Sequence, residues 1–89
     1  MLSKEEKENL SLSLFNIIDK VFKVEELKIT LGEKKENDKI LYQLEFKFLN
    51  NSFPYKFNYN FYADDYRENK LGMKKKIVDL MLDLIFYNN

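Results

Sequence analysis

The side chains best suited to chemistry are lysines and carboxylates in short clusters. Lys74, Lys75 and Lys76 follow Gly72, and Lys34, Lys35 and Lys39 stand in a stretch interleaved with Glu33, Glu36 and Asp38. Grouped ammonium ions of this kind suit phosphate oxygens, which makes both patches candidates for nucleic-acid contact. Asp64, Asp65 and Glu68 form an acidic group that could hold a hard cation. Oxygen-ligand loops alternate their acids around a turn glycine, however, and this spacing fits the opening turn of a helix better. Asp79 and Asp83 lie one helical turn apart and read as a solvated face.

The missing residue types exclude more than the motifs do. The chain has no Cys, His or Trp. Disulfides, thiol nucleophiles, Cys/His zinc sites and histidine acid–base catalysis are therefore ruled out together. Two glycines leave no room for a glycine-rich phosphate loop. No cofactor or metal site and no catalytic set is expected, and the reading is non-enzymatic.

Positioning these groups falls to elements that the apolar periodicity marks clearly. Leu10, Leu14, Ile17, Ile18 and Val21 recur at helical spacing, widened by Phe15 and Phe22, and predict a first helix over about 3–23. Ser3 and Glu6 make a capping box at its start, with Glu5, Glu6 and Glu8 at the positive end of the dipole and Lys20 and Lys23 at the other. The period then drops to two over about 24–31, 40–49 and 53–62. Leu27, Ile29 and Leu31, then Ile40, Tyr42, Leu44, Phe46 and Phe48, then Phe53, Tyr55, Phe57, Tyr59 and Phe61 take one face, and the residues between them, mostly polar, take the other. A final helix over about 65–87 is expected from the Asp65-x-x-Glu68 cap and the stripe Tyr66, Met73, Ile77, Leu80, Met81 and Leu84, with Gly72 inside it.

The predicted fold is one α+β domain over 1–89, of order αβββα. Its three strands form an antiparallel meander with both helices on one face. A turn at Asn50-Asn51 would pair Phe48 with Phe53, Phe46 with Tyr55, Leu44 with Phe57 and Tyr42 with Tyr59, and would set Glu45 opposite Lys56. A slip of two residues would oppose Lys47 to Lys56, which is unfavourable. In the first hairpin, Lys28 is expected beside Glu45 and Glu26 beside Lys47. The loop Gly32–Lys39 is the expected mobile segment, and Pro54 marks an edge strand. The inward aromatic ladder reads as core, whereas Tyr62, Tyr66 and Tyr87 fall at element ends, where rings can be exposed.

Order αβββα, with lysines in the first hairpin and at the opening of the last helix, resembles the double-stranded RNA-binding domain. The resemblance spans about Gly32 to Lys76 and implies RNA contacts through Lys34, Lys35, Lys39, Lys74, Lys75 and Lys76. The chain departs from that family in having no histidine in the hairpin and in filling its last helix with Leu, Ile and Met.

Fifteen basic residues balance fifteen acidic ones, so no global field steers the chain to phosphate or anionic lipid. The charged start and the absence of a long apolar run predict neither export nor membrane insertion, hence a cytoplasmic protein. Phe, Tyr, Met, Ile, Asn and Lys make up just over half the chain, as an AT-rich genome or its phages would encode. The leading expectation is a small protein-binding module: an inhibitor, adaptor or accessory subunit whose partner is an unidentified protein. Its surfaces are the apolar flank Leu82 and Phe86, suited to homodimerisation, and the third-strand edge Lys56, Asn58, Asn60 and Tyr62.

Overall fold

The computed structural model describes residues 1–87. Its elements are α1 (Lys4–Val21), β1 (Glu25–Glu36), β2 (Lys39–Asn50), β3 (Phe53–Tyr62), α2 (Ala63–Glu68) and α3 (Lys70–Tyr87). The strands form one open antiparallel sheet in the order β1-β2-β3. The αβββα arrangement read from the periodicity is present, with its C-terminal helical part broken in two.

The capping box opens α1 as expected. Ser3 Oγ accepts from the Glu6 N–H at 3.1 Å, and Glu6 Oε1 accepts from the Ser3 N–H at 3.0 Å. The helix stops at Val21, where Phe22 turns extended while its N–H still reaches Ile18 O at 2.8 Å. Leu10, Leu14 and Ile18 point into the core, together with Tyr42, Leu44, Phe46 and Phe48 of β2 and Met73, Ile77 and Met81 of α3. Both helices therefore cover the aromatic face, and the opposite face stays open. Val21 and Phe15, counted in the apolar arc of α1, are exposed, at 55% and 43%.

Three expectations about the hairpins are overturned. Gly32–Lys39 is not a loop. Both strands continue to a two-residue turn at Asn37-Asp38, with Glu36 opposite Lys39 and Asn37 at φ 52°. Asn tolerates that left-handed conformation, which suits the twist of a hairpin. Twelve-residue strands at ~3.3–3.4 Å per residue account for the 41 Å long axis.

The second hairpin sits two residues away from the expected register. Its turn is Asn51-Ser52, both with positive φ (52° and 67°), and it sets Phe48 opposite Tyr55, Phe46 opposite Phe57, Leu44 opposite Tyr59 and Tyr42 opposite Phe61. Lys47 does face Lys56, the pairing expected to be avoided. Glu45 makes it tolerable by reaching both ammonium groups, at 3.4 and 3.7 Å. The aromatic side of the sheet explains the shift. Phe46 and Phe57 stack at 4.5 Å with planes 4° apart, and Phe61 is brought between Tyr42 (5.5 Å) and Tyr66 (6.3 Å). Phe53 is the ring left at the margin, 54% exposed and tilted against Tyr55 at 5.1 Å. Either register makes three aromatic pairs; the observed one takes Phe61 in place of Phe53, and a buried ring contact of ~0.5–1.5 kcal/mol there outweighs repulsion between two solvated lysines.

In the first hairpin Lys28 faces Lys47 and Thr30 faces Glu45, in place of the expected Lys28–Glu45 and Glu26–Lys47 neighbours. A bulge between Glu25 and Lys28, with Glu26 at φ 52°, absorbs the difference.

The last helix is not continuous from Asp65. Its opening turns form α2, which begins at Ala63, and the Asp65 carboxylate reaches back to the Tyr62 N–H at 3.2 Å. Asn69 then breaks the chain at φ −153°, ψ 73°, and its side chain accepts from the Gly72 N–H at 2.9 Å, restarting the helix as α3. Gly72 thus lies in a first turn and not in an interior. A Cβ there would come within 2.3 Å of Asn69 Nδ2. The break lets Tyr66 turn inwards, 3% exposed, against the expectation of an exposed ring.

Candidate partner-binding edges of the sheet

Backbone hydrogen bonding decides what each outer strand can offer. The residues that close a two-residue hairpin bond each other, and partners then alternate along the ladder. Asn50 and Phe53 close the second hairpin, so the odd-numbered residues of β3 bond β2. The N–H and C=O groups of Lys56, Asn58, Asn60 and Tyr62 consequently point away from the sheet. Pro54, which has no N–H, falls on the same outward set, where nothing is lost. By the same count from Glu36 and Lys39, the outward backbone groups of the regular part of β1 are those of Ile29, Leu31, Glu33 and Lys35.

Each edge is flanked by an apolar cleft. Beside β3, a cleft of about 350 Å³ lies between Phe57 and Asn58 on the strand and Leu80, Leu84 and Tyr87 on α3. These helix residues are spaced i, i+4, i+7 and form one stripe, with Leu80 43% and Tyr87 85% exposed. Beside β1, a cleft of about 580 Å³ lies between Ile29 and Leu31 and the α1 residues Leu12 and Phe15. Leu12 is 61% exposed.

The anticipated surface is divided by this geometry. Lys56, Asn58 and Asn60 are exposed along the β3 edge. Tyr62 is half-buried: its hydroxyl donates to Glu36 Oε2 at 3.2 Å, and Lys39 Nζ sits 5.5 Å from its ring centre. The Glu36 carboxylate pushes the phenol above its ordinary range. Leu82 is half-buried and Phe86 is 72% exposed. At 100° per residue they lie on the far side of α3 from Leu80, Leu84 and Tyr87, so they do not share the β3 cleft.

The lysine patches are likewise separate. Lys34 pairs with Glu36 at 3.8 Å. Lys35 and Lys39 line a cleft of about 390 Å³ that also contains Asp38 and Asp64. Lys74, half-buried, and the exposed Lys75 and Lys76 follow the first turn of α3. The described residues contain no group of three or more carboxylates placed to hold a metal ion. No helix among them is long and apolar enough to cross a membrane.

No protein-family model, curated protein or solved structure matches the chain.

Two features escaped the sequence. Lys28, Lys47 and Lys56 line up across the three strands on the open face, a row visible only once both registers are known. Partial desolvation pushes the Glu45 carboxyl up, but Lys47 and Lys56 together hold it below its ordinary value. The other feature is the Leu12–Phe15 pair on α1. Its signal was present, since Leu12 lies outside the stripe of Leu10, Leu14 and Ile18, about 160–200° around the helix from it.

Proposed function

We propose that the chain is a small non-enzymatic protein-binding module, an inhibitor, adaptor or accessory subunit, that takes an extended segment of its partner as a fourth strand on β3. The observation that carries this reading is the pairing of a free strand edge with an apolar cleft beside it, formed by Phe57, Leu80, Leu84 and Tyr87. Main-chain groups of Lys56, Asn58 and Asn60 would supply affinity, and the cleft would select alternate apolar side chains of the incoming strand. Carboxylates of Glu36, Asp38 and Asp64 among Lys34, Lys35 and Lys39 rank this reading ahead of RNA binding. A cytoplasmic setting and an AT-rich source, phage included, belong to the same proposal.

The test is selection of displayed random peptides on the purified protein, followed by amide chemical-shift mapping. Selected peptides should alternate apolar residues and shift the amides of Lys56, Asn58 and Asn60. Asn58→Pro removes one outward N–H and should abolish binding with the far-UV spectrum unchanged. Peptides that bind Asn58→Pro as well as the parent would refute strand addition at β3.

A further inference from the structure

The charge order along β1 singles out a partner for the other edge. From Lys28 to Glu36 the strand is regular, it contains no proline, and its outer backbone groups are unopposed by any other strand of the described residues. An edge of this length left open is a template for strand pairing. Glu25 and Glu26 stand at its start ahead of Lys28, and Lys34 and Lys35 stand between Glu33 and Glu36 at its end. An antiparallel copy of the same strand can therefore meet opposite charge, and the register decides whether it does.

We propose that two copies of this chain join edge to edge through β1, about a twofold axis at Thr30, to form a continuous six-stranded sheet. Paired residues in antiparallel strands share a face, so a perpendicular twofold must pass through a residue position. Centred on Thr30, the axis sets Ile29 against Leu31 of the partner copy on the helix-covered face. On the open face it sets Lys28 over Gly32, which has no side chain to obstruct it, and it brings Glu26, which borders Lys47 and Lys56 from the bulge, near Lys34. Centring on Leu31 would oppose Lys28 to Lys34 and Glu26 to Glu36. Centring on Ile29 would oppose Glu25 to Glu33. A Gly32 axis would join Lys28 to Glu36 but would set Leu31 against Glu33 and Ile29 against Lys35. The Thr30 axis joins Glu26 to Lys34 while keeping Ile29 against Leu31, and like charges directly opposed are destabilising.

The helix layer fits the same operation. A twofold through Thr30 brings α1 of one copy beside α1 of the other, and Leu12 and Phe15 are the apolar side chains flanking β1 there. Their exposure, 61% and 43%, is what an isologous contact would remove. The outward backbone groups of Ile29 and Leu31 meet their counterparts in hydrogen-bonded pairs. The β3 edge stays free, so this inference stands or falls separately from strand addition there.

Charge reversal tests the axis. Sedimentation equilibrium at low salt should show the parent chain as a dimer. Glu26→Lys and Lys34→Glu should each weaken it about tenfold, because two symmetry-related exposed pairs at ~0.2–1 kcal/mol each become repulsive. Mixing the two variants should restore association, since Glu26→Lys retains Lys34 and Lys34→Glu retains Glu26, so every contact of the mixed dimer joins opposite signs. Each variant's far-UV spectrum separates lost pairing from lost folding, and Leu12→Glu, altering a largely exposed side chain, should give a folded monomer. A parent chain monomeric at millimolar concentration overturns the proposal. A dimer indifferent to both reversals, or one not restored by mixing, overturns it equally.

Discussion

Tyr42→Phe isolates one buried hydrogen bond. Tyr42 is fully buried, and its hydroxyl accepts from the Leu2 N–H at 2.7 Å, across forty positions of chain. That bond ties the segment before α1 to the middle strand, beside Leu2, whose side chain is 2% exposed. Phenylalanine keeps the ring and its 5.5 Å stack on Phe61 and removes the oxygen alone. The Leu2 N–H is then buried without a partner, at a cost of about 1–3 kcal/mol. A domain of this size is stable by roughly 5–10 kcal/mol, so the loss is a large fraction of the whole. At ~4–8 °C per kcal/mol, the midpoint of thermal unfolding should fall by roughly 5–20 °C. Urea titration followed by far-UV circular dichroism measures the loss, and hydrogen exchange at the Leu2 amide locates it. A change below about 0.5 kcal/mol, with the Leu2 amide still protected, would refute the assignment of that hydroxyl as its acceptor.

Four further outcomes are expected. Asn69→Ala should destabilise by about 0.5–2 kcal/mol through loss of the α3 cap. Gly72→Ala alone should be near neutral, because the ~1 kcal/mol helix gain is offset when its Cβ displaces the Asn69 amide; added to Asn69→Ala it should recover that gain in full, as a double-mutant cycle by urea titration will read. Ser52→Gly should stabilise by about 0.5–1 kcal/mol in the same titration, since Ser52 pays for φ 67°, whereas a turn at Asn50-Asn51 would give no such gain. Arg67 hydrogen-bonds Glu6 at 2.9 and 3.0 Å and, with the Ser3 backbone, holds its carboxyl at about 2, below the 4.5 of a free glutamate. The unfolded chain therefore binds the proton first on acidification. The stability difference between the parent and Glu6→Gln should be full above pH 4.5 and vanish as pH falls towards 2, and a difference independent of pH over that window would contradict the pairing.

Element type was legible because each element repeats its own period over several turns or pleats, and Ser3 and Glu6 announced a start that the side chains realise. Register was not legible for a specific reason. Slips of two residues keep every aromatic on the same face, so the face rule cannot choose between them. The choice fell to ring stacking around Phe61, which prevails over the unfavourable φ of Ser52 and has no periodic signature. The break at Asn69 was hidden similarly. Asn is a weak helix breaker by composition, and Asp65 and Glu68 offered a cap one turn too late. The apolar clefts depend on which flank of each helix meets a sheet edge. That is a property of helix placement, so Leu80 could be read only as a member of the core stripe.

The two tight turns also bear on how the chain folds. Each strand pairs only with its neighbour in sequence, so the sheet can form by closing two short loops, at small entropic cost. Hairpins of this kind form in ~1–10 μs, and β2 serves as the template for both. The contacts that close the molecule are much longer in range: Leu2 to Tyr42, and Arg67 to Glu6 across sixty-one positions. The meander is thus the natural early structure. The Leu2 and Arg67 contacts, which fasten the opening of α1 to β2 and α2, carry a far larger loop-closure cost than either hairpin turn.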